Sequence, residues 1–219
     1  MTESIRRVFG GVQALVSLFV VEHRGVLTIV DTGQAQAVSR TLKALRNAGH
    51  KPEDVRQIVL THCHGDHTGA LSRLREATGA TIVAGAEDAP VIEGKAEYPG
   101  PVDRLFRAAY ANLAHFPRTP VDRVVSGKEE LEGGLIAVPT PGHTAGHIAV
   151  VAPDLGAAFT GDLVWHLGPL RPSWRRLTQN PEHCEESIKE FAGLGYERIL
   201  PGHGPDVSGE RLKDLARRL

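Results

Sequence analysis

Apolar residues fall along this chain in short runs separated by glycine- and proline-bearing breaks. Ile5 to Val8, Ala14 to Glu22 and Val26 to Asp31 are rich in Val, Leu, Ile and Phe, which predicts strands. The break His23-Arg24-Gly25 makes the last two a hairpin. From Ala35 to Ala48 the spacing becomes helical, with apolar Val38, Leu42 and Leu45 and with Gly49 as a stop. Val55 to Leu60 reads as a strand, Ala70 to Thr78 as a helix, Ala80 to Ala84 as a strand and Ala86 to Ile92 as a helix. Glu93 to Pro120 breaks this rhythm. Pro99, Pro101, Pro117 and Pro120 surround a helical stretch, Val102 to Leu113, that reads as a lid or insertion over a site or as an ordinary connection.

Strands then resume at Arg123 to Val125, Leu135 to Val138, Ile148 to Val151 and Ala157 to Thr160, the last two joined by a turn at Pro153 to Gly156. Pro181 to Leu194 predicts a helix with proline at its tolerated start and Asn180 as cap. A strand at Arg198 to Leu200 and a helix at Glu210 to Leu219 close the chain. Strand-rich halves that each carry helices predict an α+β protein, two sheets face to face with helices outside. The expected organisation is one domain over residues 1–219, in keeping with its length.

Composition narrows the function. A net charge of -1 offers no electrostatic footprint for nucleic acid or an anionic membrane. Two cysteines, Cys63 and Cys184, make no disulfide framework. The N-terminus MTESIRRVFGG lacks a secretory pattern, and no apolar run is long enough to span a bilayer. The expectation is a cytoplasmic protein with a small-molecule partner.

Chemistry concentrates in IVLTHCHGDHTG, residues 58–69. His62, His64, Asp66 and His67 form an H-x-H-x-D-H array of imidazole and carboxylate, donors that borderline divalent metals prefer. In extended backbone His62, His64 and Asp66 share a side, and a turn at Gly65 is needed to bring His67 round. Four further segments repeat one design, an apolar strand ending in a glycine-bearing turn and a potential ligand: LTIVDTG with Asp31, LIAVPTPGH with His143, GAAFTGD with Asp162 and RILPGH with His203. Strands of packed sheets end along shared edges, so ligands at their ends can converge there.

In order, D-T-G, L-T-H-C-H-G-D-H-T-G, T-P-G-H-T-A-G-H, F-T-G-D and L-P-G-H-G-P resemble the metallo-β-lactamase superfamily, from about Val20 to Pro205. The resemblance implies a four-layer αββα sandwich with two divalent metals, zinc in preference to iron or manganese, at one edge of the paired sheets. It implies that His62, His64 and His143 hold the first metal, Asp66, His67 and His203 the second, and that Asp162 bridges them. Asp31 matches a carboxylate that orients the ligands. The implied activity is hydrolysis of an ester, thioester, lactone, amide or phosphoester by a metal-bridging hydroxide, with Asp162 and Asp66 as the catalytic carboxylates and Asp66 able to take up a proton.

Outside this array, Cys63 is expected in the core and His147 in a structural hydrogen bond. His166, Arg171, Trp174 and Arg175 are candidate substrate contacts, since guanidinium groups grip anions in a bidentate way. Within the family, Asp162 speaks against the broad-spectrum β-lactamases. Trp165 stands where many lactonases carry tyrosine, and the tail after His203 is short for a glyoxalase II. Two alternatives are a mononuclear iron persulfide dioxygenase of the same fold and a non-catalytic metal-binding protein.

Overall fold

The computed structural model describes residues 3–11, 15–97 and 118–219. Two sheets lie at its centre. The first joins β1 (Ser4–Phe9), β2 (Ser17–His23), β3 (Val26–Val30), β4 (Val55–Val59), β5 (Thr81–Gly85) and β6 (Arg123–Val125) in sequential order. Its opening strands pair antiparallel and β3 to β6 pair parallel. Helices α1 (Ala37–Asn47), α2 (Gly65–Thr68), α3 (Leu71–Thr78) and α4 (Ala89–Ile92) fall in the connections.

The second sheet joins β7 (Glu129–Glu130), β8 (Ile136–Pro139), β9 (Ile148–Ala152), β10 (Ala157–Trp165), β11 (Arg171–Pro172), β12 (Arg198–His203) and β13 (Val207–Ser208). Its order is β13-β12-β10-β9-β8-β7, with β11 on β10. Helices α5 (Pro181–Ala192) and α6 (Gly209–Ala216) follow in the chain, and the Asn180 side chain caps α5 by accepting from the His183 amide at 3.0 Å.

Strand alternation explains the layering. Val20, Ile29, Ile58 and Ile82 point to an apolar cluster shared with Leu45, Leu71 and Leu74 of the helices. Their neighbours Val21, Val30, Val59 and Val83 point the other way, into a cluster with Ala137, Val150, Phe159 and Leu200 of the second sheet. Val151, Ala158 and Ile199 in turn face Ile188, Phe191, Leu212 and Leu215 of α5 and α6. Three apolar layers thus separate four layers of structure, the expected αββα sandwich. Strands buried on both faces carry continuous apolar runs, which is why periodicity alone separates them poorly from buried helix.

Three details differ from the sequence expectation. The strand read from Ala14 begins at Ser17, and residues 12–14 lie outside the described residues. Strand β10 runs past Thr160 to Trp165, and β12 runs past Leu200 to His203. Both continue because they pair in parallel with register shifts around Gly161, so Asp162 and His203 sit at an irregularity inside the sheet and not beyond its end. The helical stretch Val102 to Leu113, the core of the anticipated lid, lies outside the described residues. Among the described residues no helix is long and apolar enough to cross a membrane.

Candidate metal centre

The edge where β3, β4, β10 and β12 end gathers all seven predicted ligands into two groups. His62, His64, His143 and Asp162 form one, Asp66, His67 and His203 the other; within each, the ligand atoms lie within 4.8 Å of one another. The array turns as a helix. His62 to His64 are non-helical and Gly65 opens α2, so the His67 ring swings back toward His62, with centroids 4.2 Å apart. Gly65 does this without a left-handed conformation, unlike the turn anticipated from its freedom.

Asp162 joins the two groups. Its Oδ2 lies 3.4 Å from His143 Nε2, and its Oδ1 lies 3.3 Å from both His67 Nε2 and His203 Nε2. Asp66 completes the second group, 3.4 Å from His203 Nε2 and 3.9 Å from His67 Nε2. Ligand bonds of about 2.0–2.1 Å in a tetrahedron require donor atoms about 3.4 Å apart, close to these spacings.

The hydrogen-bond chains leave the right nitrogens bare. Thr61 Oγ1 donates to Asp31 Oδ2 at 2.9 Å, so it accepts from His62 Nδ1 at 3.0 Å. His62 Nε2 then carries a lone pair, buried and without a hydrogen-bond partner. His67 donates from Nδ1 to Asp31 Oδ2 at 2.8 Å, and His203 from Nδ1 to the Leu15 carbonyl at 2.9 Å. For His143 the chain is longer. Thr178 donates to the Trp174 carbonyl, Ser173 donates to Thr178, and His143 Nδ1 donates to Ser173 at 3.0 Å. In the neutral form of each ring Nε2 is therefore the acceptor directed into the centre, the tautomer a metal needs. His64 instead presents Nδ1, 2.8 Å from His143 Nε2. Asp162 Oδ1 is also buried without a hydrogen-bond partner. These observations fit a site for divalent cations.

Asp31 lies behind the histidine cluster and hydrogen-bonds to it. It holds His67 directly, His62 through Thr61, and accepts the Thr61 amide at 2.8 Å. It does so at φ 60°, a conformation Asp tolerates better than most residues. His147 is structural, as expected. It accepts the Asp162 amide at Nε2 (3.2 Å), its Nδ1 bonds Thr140 (2.8 Å), and burial holds it near pKa 3. Cys63 packs in the first-sheet core.

The sequence reading missed Asp88, the residue before α4. Its Oδ2 accepts the Cys63 amide at 2.8 Å and the Thr144 hydroxyl at 2.7 Å, and its Oδ1 accepts the Gly146 amide at 2.9 Å. One buried carboxylate thereby ties the His62–His64 loop to the His143 loop. Burial raises its pKa, and those three donors pull the other way. No local pattern marks it, because its partners lie 25 to 58 residues away.

Gly202 carries a different constraint. A Cβ there would sit 2.6 Å from His67 Cε1 and 2.8 Å from Asp162 Oδ1. Gly202→Ala is expected to displace both ligands and lower metal affinity at least tenfold, read by competition with a chromophoric chelator. Unchanged affinity would mean the centre has room that these distances deny.

Charge divides the groups. Burial, with neighbouring histidines, holds His62 and His143 well below the usual histidine range. Burial also opposes charge on His203 and His67, but the carboxylates outweigh it, raising His203 to about 10 and His67 well above its ordinary value. Near neutral pH a cation entering the second group must displace protons, and one entering the first need not. Affinity at the second group is expected to rise with pH up to about 10. Calorimetric titration in buffers of different protonation heat measures proton release, and equal release at both groups would contradict this assignment.

Of the candidate substrate contacts, Arg175 is occupied by Glu182 and, at 3.1 Å, by Glu185. His166 bonds the Pro205 carbonyl through Nδ1 at 3.1 Å. Trp174 is exposed, and Arg171 lies over its ring, 5.7 Å from the centroid.

The family model for the metallo-β-lactamase superfamily matches residues 11–203. The chain belongs to this superfamily. A probable metallo-hydrolase, YflN of Bacillus subtilis, is 27% identical over 219 residues, covering 87% of this chain and 81% of that protein. A hydroxyacylglutathione hydrolase of Cereibacter sphaeroides is 33% identical over 180 residues; the match takes in 82% of this chain but only 58% of that enzyme's length. The solved structure of TTHA1623 in a di-iron-bound form aligns with a TM-score of 0.75 at 25% identity, covering 93% of this chain and 95% of that one. This superfamily member is an enzyme, a metallohydrolase with a His/Asp cluster suited to divalent metals.

Proposed function

We propose that this metallohydrolase cleaves a carboxylic ester or thioester of a small molecule at a two-metal centre held by His62, His64, His143, Asp66, His67, His203 and Asp162. The observation that carries this reading is the position of Asp162, one oxygen toward each group. Two cations there would polarise the scissile carbonyl and bring a water to its deprotonated form near neutral pH. Zinc suits the imidazole-rich donor set, with iron and manganese compatible.

The chain's own part is positioning and charge. Asp31, Ser173 and the Leu15 carbonyl fix four imidazoles in one tautomer, so no reorientation is needed during turnover. Asp66 is the most exposed carboxylate of the centre, its side chain 33% accessible, while Asp162 is 3% accessible. Substrate therefore approaches past Asp66 and His64. Burial opposes charge on Asp66, but His67 and His203 hold its pKa below the ordinary carboxylate range, so it is ionised at neutral pH and available as an anionic donor to a cation.

Similarity to a hydroxyacylglutathione hydrolase supports an acyl over a phosphoryl substrate for this chain. The mononuclear dioxygenase alternative leaves Asp66, His67 and His203 without a task. The test is a panel of thioesters, esters, lactones and phosphodiesters given to protein stripped by chelator and reloaded with zinc, manganese or iron. Acyl cleavage restored by two equivalents of metal supports the reading. Restoration by a single equivalent of iron, with oxygen consumed, would reject it.

A further inference from the structure

Beside the second ligand group stands a wall of aromatic and cationic side chains with no part in metal binding. Trp165 and Arg171 are directly opposed partners on β10 and β11, so their side chains leave the sheet on the same face. The Trp165 ring packs tilted against His203, with centroids 4.6 Å apart, and the Trp174 ring packs tilted against Trp165 at 5.8 Å. Trp165 is 7% exposed and Trp174 52%, so the row runs from the centre out to solvent.

Two of its polar atoms lack partners. Trp165 Nε1 and Arg171 Nε are both buried with no hydrogen bond. Each is a donor only, and Arg171 is a permanent cation. Among the described residues Arg171 makes no ion pair, whereas Arg175 nearby is held by two glutamates. Buried donors without acceptors are costly, about 1–3 kcal/mol each, and are uncommon unless a ligand supplies the acceptor.

We infer that Trp165, Arg171 and Trp174 form a substrate subsite for a carboxylate-bearing arm with an apolar or aromatic body. The carboxylate sits on the Arg171 and Trp165 donors and the body lies against Trp174. This rests on the hydrolase reading and narrows it to esters or thioesters whose second end is anionic. A neutral polar arm would satisfy the donors but leave the guanidinium charge unmatched, which is why the subsite discriminates by charge.

The chain has two tryptophans. Both belong to this row, so tryptophan emission reports from it. The experiment titrates the metal-loaded protein with phenylacetate and with neutral phenylacetamide, which share a ring and differ in charge. Phenylacetate is expected to change the emission saturably and to bind at least tenfold tighter than the amide. Arg171→Gln should remove that preference, and Trp174→Ala should weaken both probes alike. Equal affinities, no response, or an Arg171→Gln variant that keeps its preference for phenylacetate would overturn the subsite, the last because the carboxylate would then be bound by the metals. No turnover is needed. A protein that passes this titration but hydrolyses no ester refutes the hydrolase reading alone, and one that fails it while hydrolysing esters refutes the subsite alone.

Discussion

Replacing Asp162 by alanine is expected to reduce metal content below one ion per chain and turnover by at least about 10³-fold, equivalent to about 4 kcal/mol of barrier. Among the described residues no other side chain has one oxygen beside each ligand group. Its removal takes a carboxylate oxygen from beside His143 in one group and from beside His67 and His203 in the other. Asp162→Asn separates charge from shape. It keeps the volume and one carbonyl oxygen, so it should retain the first metal better than the second. The two variants are compared by elemental analysis and kcat/KM on the same preparation. A metal-depleted Asp162→Ala protein with wild-type turnover would remove Asp162 from the mechanism.

The second large effect is expected at Asp88, which touches no substrate. Asp88→Ala strips the acceptor from two buried amides, Cys63 and Gly146, and from the Thr144 hydroxyl. Each orphaned donor costs about 1–3 kcal/mol, and because the three share one site the total is about 3–5 kcal/mol. For a chain of this size that lowers Tm by about 10 °C. The two loops it joins carry His62, His64 and His143, so metal affinity should fall as well, by about 10–100-fold, the range seen when an orienting partner is lost. Asp88→Asn keeps one acceptor oxygen and is expected to lie between. Thermal unfolding with chelator present isolates the stability loss, and metal titration measures the second effect. A variant that loses stability but binds metal normally would make Asp88 a fold residue only.

The clustering of these histidines and aspartates was legible in the letters because their pattern is local. His62, His64, Asp66 and His67 fall within six residues, and His143, Asp162 and His203 each follow a glycine. The layers were legible for a related reason. Runs such as Ile58 to Leu60 and Ile148 to Val151 are apolar at every position, as strands covered on both faces must be. What stayed hidden depends on pairing between distant segments. The bulge at Gly161 that carries Asp162 inside β10 arises from its parallel register with β12, some 40 residues on. Asp88 looks like any acid at the start of a helix until Cys63, Thr144 and Gly146 are placed around it. Arg171 and Arg175 are indistinguishable in LRPSWRR. Only the fold puts one on glutamates of α5 and the other opposite Trp165.

The measurement that bears most directly on the central claim is the number and identity of metal ions per chain in protein purified without added metal, by mass spectrometry, set beside hydrolytic activity. A centre built as two groups sharing Asp162 predicts two divalent ions per chain, with acyl hydrolysis lost on chelation and regained as both return. One iron per chain, unchanged when His203 is replaced by alanine, would contradict it.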